Sequence, residues 1–188
     1  MVHLIAELSK YLMIILFAAY TFFSYSVLKH PVESERAQCI YHRQTACMFL
    51  IHLDAYIVIF VSTMEIKTLI FYAAQVAFVL FLFIIYKKIY KRAAQLIVNH
   101  MCMLMLIGFI ILTRLGFDSA VRQFEIGCVS AVITIFIPLL IRKMKALRRF
   151  TWFYAILGIL ALGAVLGLGR ITGGAKLSFT VAGITVQP

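Results

Sequence analysis

Six long apolar runs, separated by short clusters of lysine and arginine, constrain the fold of this chain more than any other feature. A helix of 20 residues is about 30 Å long, which matches the hydrocarbon thickness of a bilayer. Each run is near that length, and the run over residues 126–141 is the shortest. The sequence therefore predicts an all-α fold, a polytopic membrane helix bundle with about six transmembrane helices. The runs cover residues 11–28, 45–62, 68–86, 93–113, 126–141 and 150–169.

The composition excludes a soluble domain and argues against nucleic-acid binding. Apolar residues make up 64% of the 188 positions, charged residues make up 13%, and the mean hydropathy is +1.02. An ordinary soluble domain is about half apolar and about a quarter charged, so a chain of this length has no interior for so much apolar surface. The net charge of +11 lies in short clusters between the runs, which is typical of membrane topology.

The distribution of cations predicts how the chain crosses the membrane. The connections after the first, third and fifth runs hold twelve Lys and Arg residues, whereas the remaining segments hold six. Cytoplasmic loops of membrane proteins carry the excess of positive charge. We therefore expect the N-terminus and the tail after the sixth run to lie outside the cell.

The tail, residues 170–188, changes character abruptly after the sixth run. It contains the adjacent glycines Gly173 and Gly174, the cations Arg170 and Lys176, and few residues that favour a helix. Backbone that leaves the helical state has to leave the lipid as well, because the hydrocarbon cannot satisfy its polar groups. The tail is therefore predicted to form a loop at the membrane surface.

The last sixteen residues resemble the segment that follows the third core helix of the FtsW/RodA/SpoVE family of shape, elongation, division and sporulation proteins. The family pattern runs Asn-Gly-Ala-Arg/Lys-Arg-Trp-Ile, a short apolar stretch, Gly-Ile and then Phe-Gln-Pro-Ser-Glu. Here Gly173 replaces Asn, Leu177 and Ser178 replace Arg-Trp, and Val186 replaces Phe. The matching positions are Gly174, Ala175, Lys176, Gly183, Ile184, Gln187 and Pro188, and weaker likeness upstream covers Thr113, Arg114, Leu115, Ala120, Gln123 and Phe124.

The resemblance covers residues 96–188 and implies a division of the chain. Residues 93–188 would be the first three helices of the family's core with the outer loop that follows them. Residues 1–92 would be an additional three-helix membrane segment. Because the family's core begins in the cytoplasm, three added spans place the N-terminus outside the cell, as the cation distribution predicts. The chain is expected to be the N-terminal part of a longer cell-cycle protein of the bacterial plasma membrane.

The resemblance implies an enzyme of cell-wall synthesis, a peptidoglycan glycosyltransferase that polymerises lipid II during division, elongation or sporulation. It also implies a class b penicillin-binding transpeptidase as partner, a carboxylate as base, and a divalent cation that assists the leaving diphosphate in the complete protein. The family's catalytic Asp lies in a large outer loop beyond Pro188. No catalytic residue is therefore assigned here, and residues 1–188 alone are expected to be inactive.

The candidate substrate-binding residues are Arg114 and Lys176, since both match positions that are basic in the family. Cations on the outer face would attract the diphosphate of a lipid-linked substrate, although long basic side chains also reach the surface from helix ends without binding anything. No cofactor or metal site is predicted, because the four cysteines show no Cys-x-x-Cys spacing. The candidate loop motif comprises Gly173, Gly174, Ala175, Gly183, Gln187 and Pro188.

Polar residues inside the runs are interpreted first as contacts between helices. Asp54 and His52 lie in the second run, and two positions place them about 200° apart around a helix, so they do not form one site on one face. Asn99 and His100, near the start of the fourth run, are expected to pair helices.

Two other functions stay open at the level of sequence. A flippase or transporter of lipid-linked precursors would use the same architecture and would need polar groups near the membrane midplane. A scaffold of the division machinery would need no catalytic loop at all.

Overall fold

A computed structural model describes the backbone of residues 2–31, 34–90, 94–143, 151–168, 170–172, 175–181 and 184–186, and the side chains of 3–31, 34–90, 94–138, 140 and 152–163. The described backbone forms six α-helices followed by three short β-strands. The helices are α1 (Val2–Val27), α2 (Glu35–Thr63), α3 (Ile66–Ile89), α4 (Gln95–Leu115), α5 (Phe117–Lys143) and α6 (Thr151–Leu168); the strands are β1 (Arg170–Thr172), β2 (Ala175–Val181) and β3 (Ile184–Val186).

The six helices confirm the predicted membrane helix bundle. Five of them, α1 to α5, are long and apolar enough to cross a membrane. Large apolar side chains cover their outer faces, for example Leu104, which is 70% exposed, and Ile70, which is 66% exposed. A soluble protein would not leave such continuous apolar surface in water, so this is a multi-pass membrane protein. The described apolar part of α6, Trp152–Gly163, is shorter, and its crossing remains a prediction.

The chain divides into two compact units, residues 1–131 and 132–188. In the first unit, α2 is the central helix and packs against α1, α3 and α4. In the second unit, α6 packs against β2. This division follows packing alone, and the predicted boundary between residues 92 and 93 stays a prediction.

Short connections hold the helices of the first unit in place. Ser34 caps α2, because its Oγ accepts a hydrogen bond from the backbone N of Ala37 at 3.1 Å. Only Met64 and Glu65 join α2 to α3. Met64 takes the left-handed conformation, with φ 54° and ψ 25°, and its N donates to the carbonyl of Phe60 at 2.7 Å. The two helices therefore form a tight antiparallel hairpin.

The tail forms a small antiparallel sheet in the order β1-β2-β3, so the prediction of a loop was wrong for these residues. Ile171 pairs with Lys176 across the first hairpin, and Thr180 pairs with Thr185 across the second. The physical reason is visible in β2, where Leu177, Phe179 and Val181 alternate with polar residues at the two-residue period of a strand.

Candidate functional site

Seven polar side chains of the described part of the first unit are 7% exposed or less, and most of them contact a neighbouring helix. Inside a membrane bundle a buried polar group needs a protein partner, because the lipid offers none. These residues therefore mark where the helices are held to one another. They are Ser9, Gln44, His52, Thr68, Gln75, Asn99 and Thr113.

The Gln75 layer, formed by His52 and Tyr56 of α2, Gln75 of α3 and Thr113 of α4, joins three helices. Oε1 of Gln75 lies 2.9 Å from Nε2 of His52 and 2.9 Å from Oη of Tyr56. That hydroxyl lies 2.8 Å from Oγ1 of Thr113, and Thr113 contacts the carbonyl of Phe109 at 2.7 Å. These four contacts are continuous, and they link α2 and α3 to α4.

Counting hydrogens assigns the orientation of the Gln75 amide. Tyr56 and Thr113 carry one hydroxyl hydrogen each, two in total. With Oε1 facing Tyr56, three contacts would each need one of these hydrogens: the contact of Tyr56 with Gln75, that of Tyr56 with Thr113, and that of Thr113 with the Phe109 carbonyl. When the amide is turned by 180°, Nε2 donates to both His52 and Tyr56, Tyr56 donates to Thr113, and Thr113 donates to Phe109. Each contact then has one hydrogen. His52 accepts through Nε2 in this arrangement, so it is neutral and carries its hydrogen on Nδ1, and neither that hydrogen nor the turned amide oxygen has a partner in the described part of the chain.

The Asn99 layer, formed by Ser24 of α1, Gln44 and Thr45 of α2 and Asn99 of α4, joins a second set of three helices. Nδ2 of Asn99 donates to Oε1 of Gln44 at 2.7 Å and to Oγ1 of Thr45 at 3.4 Å. Nε2 of Gln44 donates to Oγ of Ser24 at 2.8 Å. One hydrogen serves each contact here, so the predicted helix-pairing role of Asn99 is confirmed.

An apolar layer separates the two polar layers. Gln44 and His52 are eight residues apart on α2, which is about 12 Å along the helix axis. The side chains at this level are 4% exposed or less and carry no strong hydrogen-bonding group. The two polar layers therefore fix the register of the helices independently, and apolar side chains pack between them. On α2 the apolar layer contains Met48 and Ile51, and on α4, between Asn99 and Thr113, it contains Cys102 and Leu106.

Asp54 and His52 behave as the spacing predicts, since they contact different helices. Oγ of Ser9 on α1 donates to Oδ2 of Asp54 at 2.6 Å, whereas His52 faces Gln75 on α3. His100 also pairs helices, because its Nδ1 lies 3.0 Å from the hydroxyl of Tyr20 on α1. Within the described side chains no group of three His, Cys, Asp or Glu residues is suited to hold a metal ion.

The residues predicted from the tail and from α4 lie in separate units. Arg114 is an exposed residue in the last turn of α4, in the first unit. Lys176 and Ala175 begin β2 in the second unit, opposite Ile171 and Thr172 of β1. The other residues of the candidate loop motif lie outside the described part of the chain: Gly173, Gly174, Gly183, Gln187 and Pro188.

Sequence reasoning missed Gln44, Gln75 and Tyr56, which form the centre of the two layers. The available signal was simple, because an amide in the middle of an apolar run has to find a partner on another helix. In three comparisons, no family model, curated protein or solved structure matches the chain.

Proposed function

We propose that this membrane protein belongs to the machinery that builds the bacterial cell wall, as a relative of the glycosyltransferases that polymerise lipid II. One observation carries the proposal: the register of residues 173–188, with Gly174, Ala175 and Lys176 followed by Gly183 and the final Gln-Pro pair. The multi-pass helical bundle and the clustering of cations between its helices support it, because such an enzyme works on a substrate anchored in the bilayer.

In this function Arg114 and Lys176 would attract the diphosphate of the lipid-linked substrate. Arg114 is exposed at the end of α4, where the chain leaves the hydrocarbon, so its guanidinium is accessible to a phosphate at the membrane surface. One such charge-assisted contact would be worth about 1.5–3 kcal/mol. The proposed orientation places both residues outside the cell, where glycan strands are polymerised.

The binding of lipid II to the full chain in nanodiscs tests this role. We expect Arg114→Gln with Lys176→Gln to weaken binding by tenfold or more, an effect of at least about 1.4 kcal/mol. Lys10→Gln is the matched control, since Lys10 is exposed on α1 and matches no position of the family pattern. Unchanged binding in the double variant would remove these two residues from the proposal, and absence of lipid II binding in the unaltered chain would remove the function.

A transporter of lipid-linked precursors is the second candidate, and the buried polar layers favour it. Polar groups in the middle of membrane helices often mark a substrate path. Each layer, however, is linked mainly through its own hydrogen bonds, and the apolar layer lies between them. Transfer of fluorescent lipid II across vesicles that contain the full chain, lost in Gln75→Leu, would favour the transporter over the polymerase.

A further inference from the structure

A cleft of about 320 Å³ lies between α1 and α4 in the first unit, close to the ends at which α1 finishes and α4 begins. On α1 the lining residues recur at helical spacing, so they share one face. On α4 they come from its first two turns. The cleft is lined by Tyr20, Thr21, Ser24, Tyr25, Leu28, Leu96 and His100.

The cleft has a polar floor and an apolar rim. The floor is the pair Tyr20 and His100, whose hydroxyl and Nδ1 are 3.0 Å apart and whose rings meet edge to face with centroids 5.6 Å apart. Leu28, which is 68% exposed, and Leu96 form the apolar side. A purely apolar occupant would cover the rim but leave the floor without a hydrogen-bonding partner.

The floor offers a hydrogen to a ligand whichever tautomer His100 adopts. Tyr20 and a neutral His100 carry two polar hydrogens between them, and their mutual contact uses one. The other remains on Nε2 of His100 or on the Tyr20 hydroxyl. Thr21 and Ser24 have already donated theirs to the carbonyls of Phe17 and Tyr20, at 2.9 and 2.8 Å.

A basic residue follows the lining residue Leu28 directly along the chain. Lys29 follows Leu28 directly, is exposed, and stays at the helix end because its backbone N donates to the carbonyl of Ser26 at 3.2 Å. His30 follows it, with its N bonded to the carbonyl of Val27 at 3.1 Å. The nearest acidic residues along the sequence are Glu33 and Glu35, and Glu35 lies in the exposed first turn of α2.

We propose that this cleft binds the headgroup of one anionic phospholipid. The phosphate would accept the free hydrogen of the Tyr20–His100 pair and face Lys29, while the first part of an acyl chain would lie on Leu28 and Leu96. The cleft lies at the ends of the first and fourth apolar runs, next to the headgroup region, and basic pockets between membrane helices select anionic lipids there. The α4 side of the cleft is only two helical turns long, which is too short for a partner helix to pack along it. The proposal does not depend on cell-wall synthesis.

Lipid retention by the full chain tests the site. The chain is purified from vesicles with equal amounts of phosphatidylglycerol and phosphatidylcholine, and bound lipids are counted by native mass spectrometry. We expect one retained phosphatidylglycerol per chain, preferred about tenfold over phosphatidylcholine. His100→Phe and Lys29→Gln should each reduce that preference severalfold. Leu104→Phe is the matched control, since Leu104 is an exposed residue of the same helix one turn further on and should change nothing.

Three results would overturn the proposal. The first is equal retention of the two lipids, and the second is an unchanged preference in both variants. The third is displacement of the retained lipid signal by millimolar glycerol 3-phosphate, which would assign the cleft to a soluble phosphate. Should His100→Phe fail to fold, Lys29→Gln still decides the question, because Lys29 lies in the exposed turn after α1.

Discussion

Gln75 is the residue on which the packing of α2 and α3 depends most directly. It is fully buried and contacts both His52 and Tyr56. Gln75→Leu keeps the approximate volume but leaves both partners without their contact in an apolar interior. We expect a loss of about 1 kcal/mol in the free energy of unfolding in bicelles, since hydrogen bonds between membrane helices contribute about 0.6–1.7 kcal/mol.

The control for this change is Gln123→Leu, because Gln123 is exposed on α5. It should leave the free energy of unfolding within about 0.5 kcal/mol of the original chain. Equal effects of the two substitutions would contradict the role assigned to the Gln75 layer.

The hydrogen count predicts the protonation state of His52. Because Nε2 accepts from the Gln75 amide, we expect a neutral ring with its hydrogen on Nδ1. Solid-state ¹⁵N spectra of labelled chain in lipid distinguish the two ring nitrogens and measure this directly. A hydrogen on Nε2 would contradict this arrangement, because the Gln75 amide would then present Oε1 to His52.

The sequence predicts single residues unevenly. The separation of Asp54 and His52 follows from their spacing alone, and the structure confirms it. Which residues they meet does not follow, because Ser9 and Gln75 are 45 and 23 positions away. Partners at such distances depend on how helices pack, and the helical period of one segment contains no information on that.

At the scale of single elements, the apolar runs find the helices but begin nine or ten residues after the starts of α1, α2 and α5. The second run begins at residue 45, whereas α2 begins at Glu35, behind the Ser34 cap. Apolar residues mark the part of a helix inside the hydrocarbon, and the helix itself continues through the headgroup region. The strands of the tail were not predicted, because the glycines around them obscured the alternation of Leu177, Phe179 and Val181.

Gly127 of α5 faces Phe109 of α4. A Cβ at Gly127 would lie 3.4 Å from Cζ of Phe109, whereas one at Gly108 would meet nothing within 4 Å. Gly127→Leu should therefore destabilise the protein by about 1–3 kcal/mol through overpacking. Gly108→Leu is the matched control, with no loss expected because a helical glycine is itself unfavourable. Thermal unfolding of both variants in the same detergent measures the difference, and equal shifts would contradict it.

For the whole molecule, the cation distribution predicts the threading, which site-directed labelling tests. Two variants are compared, each with a single cysteine, either Cys39 or Lys67→Cys. Cys39 lies near the start of α2 and position 67 near the start of α3, and both positions are exposed. An impermeant maleimide should label Lys67→Cys on intact cells and Cys39 only after permeabilisation. The reverse pattern would place the N-terminus in the cytoplasm and remove the outward position proposed for Arg114.

The two-residue turn at Met64 also bears on biogenesis. Since α2 and α3 are joined without slack, neither helix can settle in the bilayer while the other waits in the translocon. We expect them to partition together as a helical hairpin, with His52 already facing Gln75. The side chains of His52 and Gln75 would then be shielded from lipid at the moment of insertion, before α4 is synthesised.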